Sequence, residues 1–311
     1  MNTLEFLPFI VCAASPLMAA GDNHASQSAP SAIAVATAGH VESVAVDEKN
    51  GIVYMSSIGE QMTPMEKDGD GSILVADLKE SGTVEMRKMI KGGKLHAPKG
   101  LTLHDGKLYA TDVDRVIAID PRKGSFEVVA DLSGEGAKFL NDTVWADGVL
   151  YVSATDLNKI YAVNPQKKTY SELKTSEPVK GPNGLVWDRN EKILYVCEYC
   201  TDADGKPAGR LLRCNPKTGE VKSLSSYKGE LDGIALYQGD LYFSDWAAKD
   251  RPGAVGKLNL NSGDVSPVTT QTMNGPADFC ITQDGIIIVP AMVDKKVWLQ
   301  DTKPASEQEP K

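Results

Sequence analysis

Apolar residues fall along the chain in short runs broken by Gly, Asn, Asp and Pro, and one pattern of runs recurs six times. Each unit opens on a tight segment that leads into an apolar strand: HVESVAV (40–46), APKGLTL (97–103), FLNDTVW (139–145), GPNGLVW (181–187), ELDGIAL (230–236) and GPADFCI (275–281). A polar turn follows, such as Asp105-Gly106 or Gln238-Gly239-Asp240. The second apolar segment carries an aromatic at one register, namely Tyr54, Tyr109, Tyr151, Tyr195 and Tyr242, with Ile288 in the sixth unit. This register reads as packing between units. A third segment ends on Asp77, Asp120, Asn164, Asn215, Asn259 or Asp301, and five units then add a more polar fourth. Nothing between them has the length and 3.6-residue period of an amphipathic helix.

Four short strands per unit, repeated at forty to fifty residues, predict the blades of an all-β, six-bladed β-propeller. From Lys99 through Asn141, Asn183 and Asp232 to Ala277 the intervals are 42, 42, 49 and 45 residues. The interval from Glu42 to Lys99 is 57, its excess lying in a polar loop, 59–71, after the second strand of the first unit. The sixth unit lacks a fourth strand, and SAIAVATA (31–38) supplies a spare one. A ring closed by that N-terminal strand on the last blade removes both free edges; a solenoid would leave them.

Composition adds bounds. The chain has 311 residues, a net charge of −9 and 41% hydrophobic residues, enough for one packed repeat domain over 31–302. Its 33 Lys and Arg are scattered, which argues against nucleic acid as a partner. Residues 1–20 read as an export signal, with apolar positions from Phe6 to small residues at Ala19 and Ala20, although Glu5 and no basic residue precede them. The segment is too short and too interrupted by Pro8 and Pro16 for a membrane span. Residues 21–30 form a polar leader and 303–311 a polar tail. The expected location is therefore periplasmic or secreted, and the expected state a monomer acting on a small molecule. Cys197 and Cys200 lie in an apolar strand pattern. With Cys214 and Cys280 they read as buried strand thiols, or as a disulfide from Cys214 to Cys197 or Cys200.

Aligning the units brings Glu42, Lys99, Asn141, Asn183, Asp232 and Ala277 to one register, just before the innermost strand. Inner strands run along a propeller's channel, so these six converge on one mouth. Glu42, Asn141, Asn183 and Asp232 offer oxygen only, the donor set of a hard cation: Ca²⁺ first, with Mg²⁺, Mn²⁺ or Zn²⁺ as the remaining options. Lys99 is the alternative, an internal counterion that would close the channel without metal; it could equally polarise a substrate carbonyl. His96 and His40 stand three and two residues ahead of ring positions, where a His could relay protons. Asp142 and Asp278 each follow one and could orient ligands from behind. Asp68-Gly69-Asp70-Gly71 lacks the later acidic ligand of a calcium loop and reads as an exposed turn.

Asn141-Asp142 after Phe139-Leu140, then GPNGLVWD, then LDGIAL with LYFSDW, resemble the gluconolactonase, regucalcin (senescence marker protein) and diisopropylfluorophosphatase-like propellers. The wording is nearest to a bacterial exported branch, and the resemblance spans 38–302. It implies a catalytic divalent cation, usually calcium, on Glu42, Asn141, Asn183 and Asp232. It also implies hydrolysis of a lactone, ester or phosphotriester, with Asp232 as base or nucleophile. Two departures stand out. Glu42 is followed by Ser43-Val44 rather than Gly-Pro, and Phe139 stands where sugar-lactone members carry a basic residue. Two readings follow: a metal-dependent hydrolase using Asp232, Lys99 and His96, or a non-catalytic ligand- or protein-binding propeller with a structural cation or a Lys-closed channel.

Overall fold

A computed structural model describes residues 33–77, 86–90, 92–246, 252–269 and 271–302. They form six four-stranded antiparallel sheets, one per repeat, in the order of a six-bladed β-propeller. The first blade runs Val41–Asp47, Ile52–Ser57, Ser72–Asp77 and Met86–Lys88 from the axis outward. In the sixth, Cys280–Ile281, Ile286–Ala291 and Lys296–Asp301 take Ile33–Ala36 as their outer strand. The expected closure is present, with Ile33 paired to Leu299 and Ala36 to Lys296. The signal, the leader and the polar tail lie outside the described residues. Among those described, no helix is long and apolar enough to cross a membrane.

Local chemistry sets the blade geometry. Asp105-Gly106, Asp147-Gly148 and Gln238-Gly239 join inner to second strands with positive φ at both residues. That is the two-residue hairpin turn whose twist matches the strands it joins. The aromatic register does what its recurrence predicts. Tyr54 packs with Leu101, Leu108 and Ile117 of the second blade, and Tyr109 with Leu140, Leu150 and Val152 of the third. Tyr195 and Tyr242 do the same one blade further on, and Ile288 returns the contact to Val44 and Met55 of the first. Each interface is a separate apolar cluster between neighbouring blades. Among the described residues, Cys197, Cys200, Cys214 and Cys280 are free thiols; Cys197 and Cys214 are buried, as strand packing requires, and no disulfide joins them.

The closing strand gives a test. Val35 is buried and Ile33 is half exposed. Val35→Asp should lower the melting temperature by roughly 5–10 °C, from an unpaired charge worth about 2–3 kcal/mol in a domain of this size. Ile33→Asp should change it by under about 2 °C. Equal, small effects in thermal denaturation would mean that the strand does not close the ring.

Candidate metal centre

Five of the six inner strands carry the same irregularity. Between Val41 and Ser43, Pro98 and Leu101, Leu140 and Thr143, Pro182 and Leu185, and Leu231 and Ile234, the inner strand has one residue more than its partner. These are β-bulges, which break the alternation and re-aim a side chain. Glu42, Lys99, Asn141, Asn183 and Asp232 all sit in them. The ring is thus placed within the inner strand, at its second residue, rather than just ahead of it as the sequence suggests. Only Ala277 precedes its strand.

All five polar ring residues are buried, Lys99 completely. Glu42 Oε2, Asn141 Oδ1, Asn183 Oδ1 and Asp232 Oδ1 are each enclosed and each without a hydrogen-bond partner. An unmet buried acceptor costs about 1–3 kcal/mol, so four of them at one register mark a place for something that accepts lone pairs. An oxygen-binding cation fits that donor set. Among the described residues no three His, Cys, Asp or Glu side chains group as metal ligands by themselves. The candidate set depends on the two amide oxygens as much as on the two carboxylates.

A second layer lies directly behind. Asp142 accepts the N–H groups of Thr143 and, across the blade boundary, Leu185, both at 2.6 Å. Asp278 accepts the Phe279 N–H at 3.0 Å and the Ser43 hydroxyl at 2.5 Å, and Ser43 Oγ accepts the Leu101 N–H at 3.2 Å. Blades six, one and two are linked through Asp278 and Ser43, and blades three and four through Asp142. Room for this layer comes from glycine: a Cβ on Gly100 would stand 2.4 Å from Asp142 Cα, and one on Gly184 2.4 Å from the Asp232 carbonyl oxygen.

Four buried carboxylates, Glu42, Asp142, Asp232 and Asp278, thus crowd the channel. Burial pushes Glu42 well above the ordinary carboxylate range, and the charges of Asp232 and Asp278 push it further. Burial and then Asp278 push Asp232 up to about 8, opposed by the hydrogen bond from Trp246. Burial raises Asp278 to about 7. Lys99 goes the other way, to about 8, because burial outweighs the pull of Glu42, Asp112 and Asp156. Its Nζ donates to the Ala97 carbonyl at 3.0 Å and lies 5.0 Å over the Phe139 ring, without an ion pair to Glu42.

Ring residues floor a cavity of about 320 Å³. Its walls are Met62 and Pro64 from the long loop of blade one, Phe139, and Tyr199, Trp246 and Met292. The last three share a register that the sequence reading missed. Each follows directly on the end of a second strand, as Ile58 and Val113 do in other blades, and Trp246 and Met292 cluster with those two. The alignment that found the ring, applied to the second strand's end, would have found them. Trp246 Nε1 donates to Asp232 Oδ2 at 2.6 Å, and Cys197 Sγ donates to the Asp232 carbonyl at 2.8 Å. Tyr199 meets Trp246 edge-on at 6.0 Å.

His96 does not join the site. It does not line the cavity; Asp112 Oδ1 holds the N–H groups of His96 and Ala97, both at 2.9 Å, and Arg115 locks Asp112 in turn. His96 Nδ1 is itself buried without a partner, away from the residues that line the cavity. His40 Nδ1 bonds the Met292 carbonyl at 2.8 Å. A larger cavity, about 410 Å³, lies beside Cys200 and Arg210, contains no ring residue, and has its Arg210 charge closed by Glu198 and Glu177.

Comparison with known proteins places the chain. Among solved structures it is similar to a structural genomics protein of unknown function from Bacteroides thetaiotaomicron, with 14% identity over 86% of this chain and 70% of that one, and a TM-score of 0.64. It is also similar to a chain of a nidogen/laminin complex, with 19% identity over 79% of this chain and 91% of that one, and a TM-score of 0.58. At such identities these likenesses show the fold alone. No curated protein matches the sequence. The model of the SMP-30/gluconolactonase/LRE-like region matches residues 42–246, from the first ring carboxylate to the tryptophan that holds the last, and the chain belongs to that family.

Proposed function

We propose that this protein is a divalent-cation-dependent hydrolase of a lactone, ester or phosphoester, exported and acting as a monomer on a small molecule. The observation that carries the reading is the set of four enclosed, unpartnered oxygens on Glu42, Asn141, Asn183 and Asp232 at the floor of a ligand-sized cavity. Family membership supports it, since the family is generally one of metal-dependent lactonases. These four residues would hold the cation, Ca²⁺ by preference for an all-oxygen set with neutral donors. When bound, a cation of this kind polarises a carbonyl or phosphoryl oxygen as a Lewis acid.

The remaining work falls to the chain. Asp232 has one carboxylate oxygen fixed by the Trp246 indole and the other facing the ring without a partner, an arrangement suited to a base or nucleophile with one defined orientation. Lys99 lines the cavity floor with the other ring residues, where its ammonium can donate to a substrate oxygen as charge develops. Its resting partners are the Ala97 carbonyl and the Phe139 face, which argues against a channel closed by a Lys99–Glu42 ion pair.

Two outcomes test this. Calorimetry on metal-stripped protein should find one Ca²⁺ per chain, and Asn183→Ala should weaken it by at least about tenfold. Binding should release protons, with affinity rising as pH climbs through the window set by Asp278 at about 7 and Asp232 at about 8. The same raised carboxyl groups make metal-free protein lose stability as pH rises from the ordinary carboxylate range through about 8, and saturating Ca²⁺ should restore it. A pH-independent melting temperature without metal would contradict the crowding of charge.

Hydrolysis of a panel of lactones and esters should disappear with EDTA and return with Ca²⁺. Lys99→Met should cut kcat by about 10²-fold while Ca²⁺ affinity holds or tightens, since a positive neighbour has gone. Wild-type protein that binds no divalent cation, beside a Lys99→Met variant that does, would favour a non-catalytic, lysine-closed propeller.

A further inference from the structure

The cavity walls differ in kind from its floor. Above the ring, the described lining is Met62, Pro64, Phe139, Tyr199, Trp246 and Met292. Its side-chain polar atoms are two, the Trp246 N–H, which Asp232 already engages, and the Tyr199 hydroxyl. Among the described residues no Arg, His, Gln, Ser or Thr side chain enters the wall. A buried hydroxyl without a partner costs about 1–3 kcal/mol, so each substrate hydroxyl that faces this wall rather than the polar floor loses about that much.

The wall is built into the fold. The loop bearing Met62 and Pro64 is pinned by Lys67 to Asp114 and by Lys295 Nζ to the Glu60 carbonyl at 3.0 Å, and Gly71 bridges Leu95. Apolar character continues to the rim. Of five large hydrophobic residues exposed among those described, Met62, Met65 and Val293 stand on loops joining second to third strands. Those loops rise at the same end of the propeller as the ring. Methionine at such a wall adapts to varied shapes, whereas a sugar ring needs fixed polar partners.

We infer that this site takes a hydroxyl-poor substrate, a lactone or ester whose carbonyl bears an alkyl or aryl group, with Met62, Phe139 and Trp246 as its specificity-determining contacts. The carbonyl part of this statement rests on the hydrolase reading; the apolar part rests on the wall alone.

Lactams separate the two, because they keep a ring carbonyl and resist hydrolysis. Calorimetry of Ca²⁺-loaded wild-type protein with ring-alkylated lactams, from methyl to hexyl, should show affinity rising about fourfold per added CH₂ until the cavity is filled. A polyhydroxylated lactam of equal ring size should bind at least about tenfold more weakly than the hexyl member. Met62→Asp should flatten the alkyl series, and Phe139→Ser should reduce it, with Ca²⁺ affinity unchanged in both. Affinity that ignores chain length, or favours the polyhydroxylated ring, overturns the inference. Turnover of the matching lactones is followed in parallel. A rising alkyl series without turnover of any lactone or ester supports the apolar site and sinks the hydrolase reading; turnover of a sugar lactone with a flat alkyl series does the reverse.

Discussion

Among the described residues, four carboxylates buried around one channel with a single buried ammonium beside them set the terms for the rest of this molecule. Mutual repulsion in a low-dielectric interior favours neutralising each of them, by a proton or by a cation. The protein meets part of that cost with its backbone. Asp142 and Asp278 take N–H groups and a hydroxyl on both of their oxygens. Glu42 and Asp232 each retain an oxygen with no donor, and two asparagine oxygens are left in the same state beside them. Hydrogen-bond donors are therefore supplied to the rear layer and withheld from the front, which is how a scaffold holds a site ready for a ligand it does not itself supply.

Holding that arrangement requires the blades to be rigidly related, and the contacts that relate them are apolar at the periphery and polar at the axis. Tyr54, Tyr109, Tyr195 and Tyr242 wedge each blade onto the next through separate hydrophobic clusters. Near the axis, Asp278, Ser43 and Leu101 connect three consecutive blades, and Thr111 Oγ1 donates to the Asn141 carbonyl at 2.5 Å. A change in one blade's seating would thus move a ring residue belonging to its neighbour. The N-terminal strand on blade six acts on the site through the same linkage, since blade six carries Asp278.

Much of this was legible in the sequence because a repeat converts register into position. Glu42, Asn141, Asn183 and Asp232 could be brought together without any structure, since equivalent positions of a closed ring must converge. The bulges were not legible: an extra residue is a property of two paired strands of unequal count, and neither strand alone declares it. Trp246, Tyr199 and Met292 were missed because the register was followed on the first strand of each unit and not at the end of the second. His96 shows that nearness in sequence to a ring residue does not by itself bring a side chain to the cavity. Its separation from Lys99 in sequence is small, but Asp112 fixes the backbone at His96 and Ala97, and the ring lines no part of the cavity. The length of the 59–71 loop was plain from the spacing. Its fold over the mouth depends on Lys67 finding Asp114 in the next blade, a contact no local pattern encodes.

The juxtaposition of an ionic floor with an apolar wall has its own consequence. A ligand that fills the space between Met62, Phe139 and Trp246 would displace water from above the ring, and removing water strengthens every interaction of the floor with a polar atom placed on it. Trp246 takes part in both regions at once: its ring is wall, and its N–H fixes Asp232 Oδ2. A molecule that filled the space beside the wall would press against the same indole that orients the carboxylate. Apolar contact and carboxylate alignment are in this way mechanically joined at one side chain, and a poorly filling ligand would leave Asp232 oriented but wet.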